Sequence, residues 1–161
     1  MPIDLRLLGL AVATRLTGVT NATGYFGKVG ALNGLPGVTN TPDDPPVKVP
    51  GEDLRVKPYF VVFPGIGRER DDERSAAGAV DPFRDRDVPY AVTAAAGDVQ
   101  DLLALVGRID TLLRGWAPVV SGAQCGQLMP TPGRDVPLLI DNTVTPERHY
   151  APLEYRLTAH T

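Results

Sequence analysis

The chain of 161 residues carries one cysteine, Cys125, two histidines and one tryptophan, and aromatic residues make up only 6% of it. A single cysteine closes no intramolecular disulfide, which fits a reducing compartment or an assembly that does not rely on oxidation. His149, His160 and Cys125 supply neither an HxxxH nor a CxxC pair, so zinc spacing is absent and no metal or other cofactor is expected. A basic excess is missing as well: 16 Lys and Arg stand against 19 Asp and Glu, a formal net charge of -3. The electrostatic footprint of a dedicated nucleic-acid binder is therefore lacking. No apolar run approaches the ~20 residues needed to span a bilayer, so no membrane partner is expected. Residues 7–13 are apolar, but the run is short and Asp4 stands where a secretion signal would place basic residues. The stretch predicts an ordinary helix of a soluble protein, with Leu5, Leu8, Val12 and Leu16 on its buried face.

What is present is a clear order of elements in the second half. A β-like run, VPYAVTAAA at 88–96, leads through Gly97 and Asp98 into an amphipathic helix over Val99–Leu113. Asp98 sits where an N-cap belongs, because its carboxylate can accept from the unpaired N–H groups of the first turn, and Asp101 adds negative charge near the positive end of the helix dipole. Val99, Leu102, Val106, Ile109 and Leu113 recur at helical spacing, Leu103, Leu105 and Leu112 widen the stripe, and Gly115 supplies a left-handed stop. The chain closes in a strand at 150–160, with Leu153, Tyr155, Leu157 and Ala159 on one face and Glu154, Arg156, Thr158 and His160 on the other.

The 17 glycines and 16 prolines fall short of the ~25–30% that marks low complexity, and they cluster, which marks loops. Residues 23–29 predict a glycine-weakened peripheral strand. The five prolines of 31–52 exclude helix or central strand and predict an extended surface path. Residues 58–63 predict a central strand, with Tyr59, Val61 and Phe63 facing one way and Phe60 and Val62 the other. The connection 64–87 exceeds the ~12–15 residues usual for a structureless loop. Its charges alternate, through Arg68, Glu69, Arg70, Asp71, Asp72, Glu73 and Arg74, then Arg84 and Arg86. It is either a solvated loop or a segment that orders against a partner, and these nine residues are the candidate assembly interface. Short strands are expected around 127–129 and at 136–140, and a turn at 144–148. Neither an internal repeat nor a linker is evident. At this length one domain is expected, burying roughly 70% of the surface its unfolded chain exposes.

The groupings that could carry chemistry each meet a simpler explanation. Cys125 with His149 or His160 lacks the third group that would orient a base, and nothing in the sequence brings a thiolate-stabilising environment to it. Gly24, Gly27 and Gly30 lack the Lys-Ser/Thr pair and the following helix of a phosphate loop, and read as turn or bulge glycines. Asp43-Asp44 and Asp71-Asp72-Glu73 read as solvated rather than cation-binding. Tyr25, Phe26, Tyr59 and Phe60 could stack bases, but no basic residues are interleaved with them, so core packing is the expectation. No catalytic residue is assigned.

The order of elements resembles a known family. An opening helix, a Pro-rich stretch, KPYFVVFPG at 57–65, YAVT at 90–93 feeding the helix that ends at Leu113, Arg114-Gly115, and finally YAPLEYRL at 150–157 are together similar to the tail terminator, or tail completion, proteins of long-tailed bacteriophages. The likeness spans most of the chain through motifs of low individual specificity. It implies a small α+β fold, a mainly antiparallel sheet flanked by helices with long irregular loops. It further implies a structural, non-enzymatic virion protein: a homo-oligomeric ring, a hexamer in that family, assembled in the host cytoplasm. The ring caps the head-proximal end of the tail tube, contacts the tail tube protein and the head completion or connector protein, and lets DNA pass through its channel. Mild acidity suits such a channel, since a cationic lining would hold phosphates. The alternatives are a head–tail connector or minor capsid component, and a small ferredoxin-like enzyme or ligand-binding domain with a pocket beside Cys125 and His149.

Overall fold

A computed structural model describes residues 3–29, 55–69, 86–144 and 146–160. Helix α1 spans Leu5–Leu16 and begins where Asp4 accepts from the backbone N–H of Arg6 at 3.0 Å and of Leu7 at 3.1 Å. Two of its first-turn donors are thereby satisfied. Leu8, Val12 and Leu16 are fully buried, as expected, while Leu5 is half-buried against the same core. Helix α2 spans Val99–Leu113, capped by Asp98, whose carboxylate accepts from Asp101 N–H at 2.7 Å and from Arg55 at 2.8 Å. Gly115 takes a φ of 74° just past the end, the left-handed region that glycine enters without a Cβ penalty. The buried stripe of α2 is Leu102, Leu105, Ile109 and Leu113. Val99 and Leu103 are exposed instead, because the stripe turns on Leu105 and leaves Val106 at its margin.

The strands are β1 (Thr23–Phe26), β2 (Tyr59–Pro64), β3 (Arg68–Glu69), β4 (Arg86–Ala96), β5 (Gln124–Cys125), β6 (Met129–Pro130), β7 (Leu139–Asp141) and β8 (Arg148–His160). They form one mixed, mostly antiparallel sheet in the order β1-β2-β4-β8-β5, with β3 also on β4 and with β6 and β7 also on β8. At its centre β4 and β8 pair over eleven residues, from Arg86 opposite Ala159 to Ala96 opposite His149. Alternation places Val88, Tyr90, Val92 and Ala94 on the face that meets Leu157, Tyr155, Leu153 and Ala151, and both helices bury their stripes there. The result is the single-domain α+β class that the sequence predicts. Tyr155 also donates to Asp110 at 2.9 Å, and the other oxygen of Asp110 receives Arg114 Nε at 2.8 Å, which ties α2 to the sheet.

On the opposite face Tyr25, Val56, Tyr59, Val61 and Ala95 form a second, smaller cluster, with Tyr25 and Tyr59 edge to face at 6.3 Å. Both faces of β2 are therefore covered as expected, except that Phe63 at its end is exposed. Core packing accounts for Tyr25, Tyr59 and Phe60, and Phe26 is partly buried against the main core. β1 lies at the edge, parallel to β2.

Two prolines sit inside the central strands, where a missing N–H would ordinarily break a ladder. Pro89 accepts at its carbonyl from Gly65 N–H at 2.9 Å, so its N–H-less side faces the point where β2 gives way to β3 on the flank of β4. The crossing is tight. A Cβ on Gly67, whose φ is 71°, would lie 1.9 Å from the Asp87 carbonyl oxygen. On β8 the carbonyls of Glu154 and Thr158 accept from Thr131 and Gly126 N–H, so Pro152, of the same parity, turns its bare nitrogen outward into the gap between β6 and β7.

Several boundaries differ from the sequence reading. The connection 64–87 is β-paired at its base, Arg68 opposite Asp87 and Glu69 opposite Arg86, so β4 starts two residues before the expected 88. Charged side chains conceal this strand start, because their polar ends find partners: Arg86 donates to Ile66 O at 3.0 Å and Asp87 accepts from Thr158 at 2.9 Å. Around the strand expected at 127–129 stand two shorter ones, β5 before it and β6 beginning at its last residue, Met129, and the strand expected at 136–140 begins only after Pro137, which brings no donor to a ladder. β8 starts at Arg148, within the expected turn at 144–148. The Pro-rich stretch expected at 31–52 lies outside the described residues.

Leu157 is 2% exposed and pairs with Val88 at the heart of the sheet. Leu157→Asp would bury an unpaired carboxylate, a cost of several kcal/mol against a total stability of about 5–15 kcal/mol. Thermal unfolding followed by circular dichroism should show the midpoint falling by ~10 °C or more, or no folded protein at all. An unchanged midpoint would refute this placement of β8.

Candidate interaction surfaces

The side chains that could support chemistry are held apart. Cys125 lies on β5 opposite Ala159 and packs against the main core, so its side chain shares the helix-covered face. His160, one residue on, points to the other face and meets Gln124 Oε1 at 2.9 Å. His149 is eleven residues away along β8, on the order of 35 Å in an extended strand. Burial pushes the Cys125 thiol above its ordinary pKa, away from the thiolate that a nucleophile needs. Among the described residues no three His, Cys, Asp or Glu side chains are grouped as a metal site, and no helix is long and apolar enough to cross a membrane.

Gly24 lies within β1 and Gly27 follows it at a φ of 76°, a turn position as the sequence reading has it. Gly30, Asp43 and Asp44 lie outside the described residues. So do Arg70, Asp71, Asp72, Glu73, Arg74 and Arg84 of the candidate interface. Of the remaining three, Arg68 is exposed on β3, Glu69 pairs through its backbone with Arg86, and Arg86 is half-buried and holds the crossing at Ile66. Arg86 is thus part of the fold's construction, a correction to its assignment to an open loop.

Two apolar surfaces were not anticipated. The first is the free flank of the 136–144 segment, where Val136, Leu138, Leu139, Ile140 and Val144 are all exposed, Ile140 by 58%. The signal was present in the sequence, since Val136-Pro137-Leu138-Leu139-Ile140 does not alternate and an edge strand cannot bury such a run on one face. The second is a groove of about 650 Å³ between α1 and residues 116–121, lined by Leu7, Leu10, Ala11, Trp116 and Val119. Leu10 is 46% and Val119 96% exposed. Arg15 closes one end, its guanidinium 5.4 Å from the Trp116 ring centre and its Nε donating to Leu112 O at 2.9 Å. Of twelve exposed large hydrophobic side chains among the described residues, seven belong to these two places, so the apolar surface is concentrated rather than scattered.

The first surface is anchored by acidic groups. Glu154 on β8 accepts from Thr131 at 2.9 Å and from Arg156 at 3.2 Å, and pairs with Arg134. The Thr131 hydroxyl above all, aided by Arg156 and Arg134 and opposed by partial burial, holds the Glu154 carboxyl below its usual range. Asp141, at the end of β7, accepts from both the hydroxyl and the N–H of Thr143 at 2.6 and 3.0 Å, which lowers its pKa and fixes the turn after the edge.

No family model matches the chain, and no curated protein is significantly similar to it.

Because the Glu154 pKa is lowered on folding, its contribution is fully present above the ordinary glutamate value of ~4.3 and disappears as pH falls through the folded value. Denaturant titrations between pH 6 and pH 3 (roughly spanning that value) should show stability declining less steeply for Glu154→Gln than for the unaltered chain. Parallel pH profiles would mean that the cluster contributes nothing.

Proposed function

We propose that this chain is a structural virion protein that caps the head-proximal end of a long-tailed phage's tail tube as a ring and joins the tail to the head. The observation that carries this reading is the concentration of exposed apolar side chains at the 136–144 edge and the α1 groove. Contiguous apolar surface of this kind belongs to protein–protein contacts. The resemblance of KPYFVVFPG, YAVT and YAPLEYRL to the tail terminators supports the same reading, and the central sheet with both helices on one face agrees with the fold that resemblance implies. On this view the tail tube protein and the head completion protein meet opposite faces of a ring of identical subunits, and DNA passes through without being held, consistent with a net charge of -3.

A nonsense mutation in the gene, carried by a phage that encodes it, gives the direct test. Electron microscopy of the lysate should show filled heads beside headless tails that are overlong or unstable, and purified protein added before tail polymerisation should restore length and joining. Normal-length tails attached to heads would exclude termination. Tails of normal length left unattached would instead assign the protein to the head–tail connection.

A further inference from the structure

The two apolar surfaces differ in charge, acidic groups bracketing one and an arginine closing the other, and one chain cannot bring its own pair together. The edge run Val136–Pro137–Leu138–Leu139–Ile140 is bracketed by Asp135 and Asp141. The groove lies along α1 and is closed at one end by Arg15.

Their positions in the fold are opposed. The edge is fixed by the pairing of Ile140 with His149, at the start of β8. The groove is fixed at the other end of that strand, where Trp116 O accepts from Leu128 N–H at 2.8 Å and Gln124 pairs with His160. Met129, next to Leu128, pairs with Arg156, so roughly eight residues of extended chain, on the order of 25 Å, stand between the two.

We infer that the occupant of the α1 groove is the 135–141 edge of a second copy of this chain, with Leu138 and Ile140 among the groove's apolar side chains and a bracketing aspartate facing Arg15. The contact is heterologous, so each copy offers one groove and one edge, and repeated docking closes a ring if the rotation between copies allows it. The inference rests on the ring reading for its biological setting, but the contact is testable without phage.

Leu10→Asp removes the groove and leaves the edge, and Ile140→Asp does the reverse; both side chains are exposed, so neither change buries a charge in the monomer. Masses are measured by sedimentation for the unaltered protein, each variant and their equimolar mixture, at a concentration where the unaltered protein is associated. Each variant alone should be monomeric, with association weakened at least tenfold, while the mixture should form a dimer through the one intact groove and the one intact edge. Val119→Asp and Leu138→Asp repeat the test should either first variant fail to fold. A mixture that remains monomeric overturns the inference, as does dissociation by only one substitution, which marks a like-to-like contact, or an unaltered protein that stays monomeric up to its solubility limit. The ring reading fails separately: an unaltered protein that stops at two copies, with the mixture still pairing, keeps the docking contact and rejects the ring.

Discussion

The register between β4 and β8 constrains everything else described. Antiparallel pairing from Arg86 opposite Ala159 to Ala96 opposite His149 makes a surface whose every second residue is committed to the helix-covered core, and a slip of β8 by one residue would turn Leu153, Tyr155 and Leu157 outward together. Proline within each strand would be expected to break such a ladder. It does not here because Pro89 and Pro152 direct their bare nitrogens at breaks in the neighbouring strands, the β2-to-β3 crossing on one side and the gap between β6 and β7 on the other. The interrupted flanks are therefore the counterpart of the continuous centre. They also leave no long, flat edge on the β8 side, where three short pieces replace one strand.

The same interruptions account for where apolar surface is left over. Residues 124–141 follow β8 in three touches, and the last of these, β7, reaches the ladder with only three residues. Val136 and Leu138 stand before it with no strand to align them, so they remain exposed beside Ile140. At the far end of β8, the chain leaving α2 turns at Gly115, and residues 116–121 lie beside α1 without filling the space between. A core built on one long ladder thus ends in two apolar features separated by its length, an arrangement suited to assembly in series.

The elements legible in the sequence were those with strong periodicity or a strong cap. Asp98 marks the start of α2, Leu8, Val12 and Leu16 the buried stripe of α1, and the alternation of Leu153, Tyr155, Leu157 and Ala159 the face of β8; all stand in the structure as read. What was not legible depends on partners distant in sequence. Arg86 and Asp87 look like loop residues until Ile66 and Thr158 are placed beside them, and β5, β6 and β7 are too short to show a period. Val99 and Leu103 fit a helical stripe on paper, but α2 rests on the sheet through Leu105. The groove escaped for a related reason: Leu10 and Val119 are far apart in sequence and meet only when α1 and residues 116–121 are placed side by side.

Hydrogen exchange read by mass spectrometry, in dilute and in associated protein, tests the central claim of a rigid ladder that carries a docking element at each end. The amides of β4 and β8 should be the slowest in both states and change little between them. Association should slow exchange selectively in residues 135–141 and along α1. Ladder amides that exchange as fast as those of β7, or protection gained on association only outside these two segments, would contradict it.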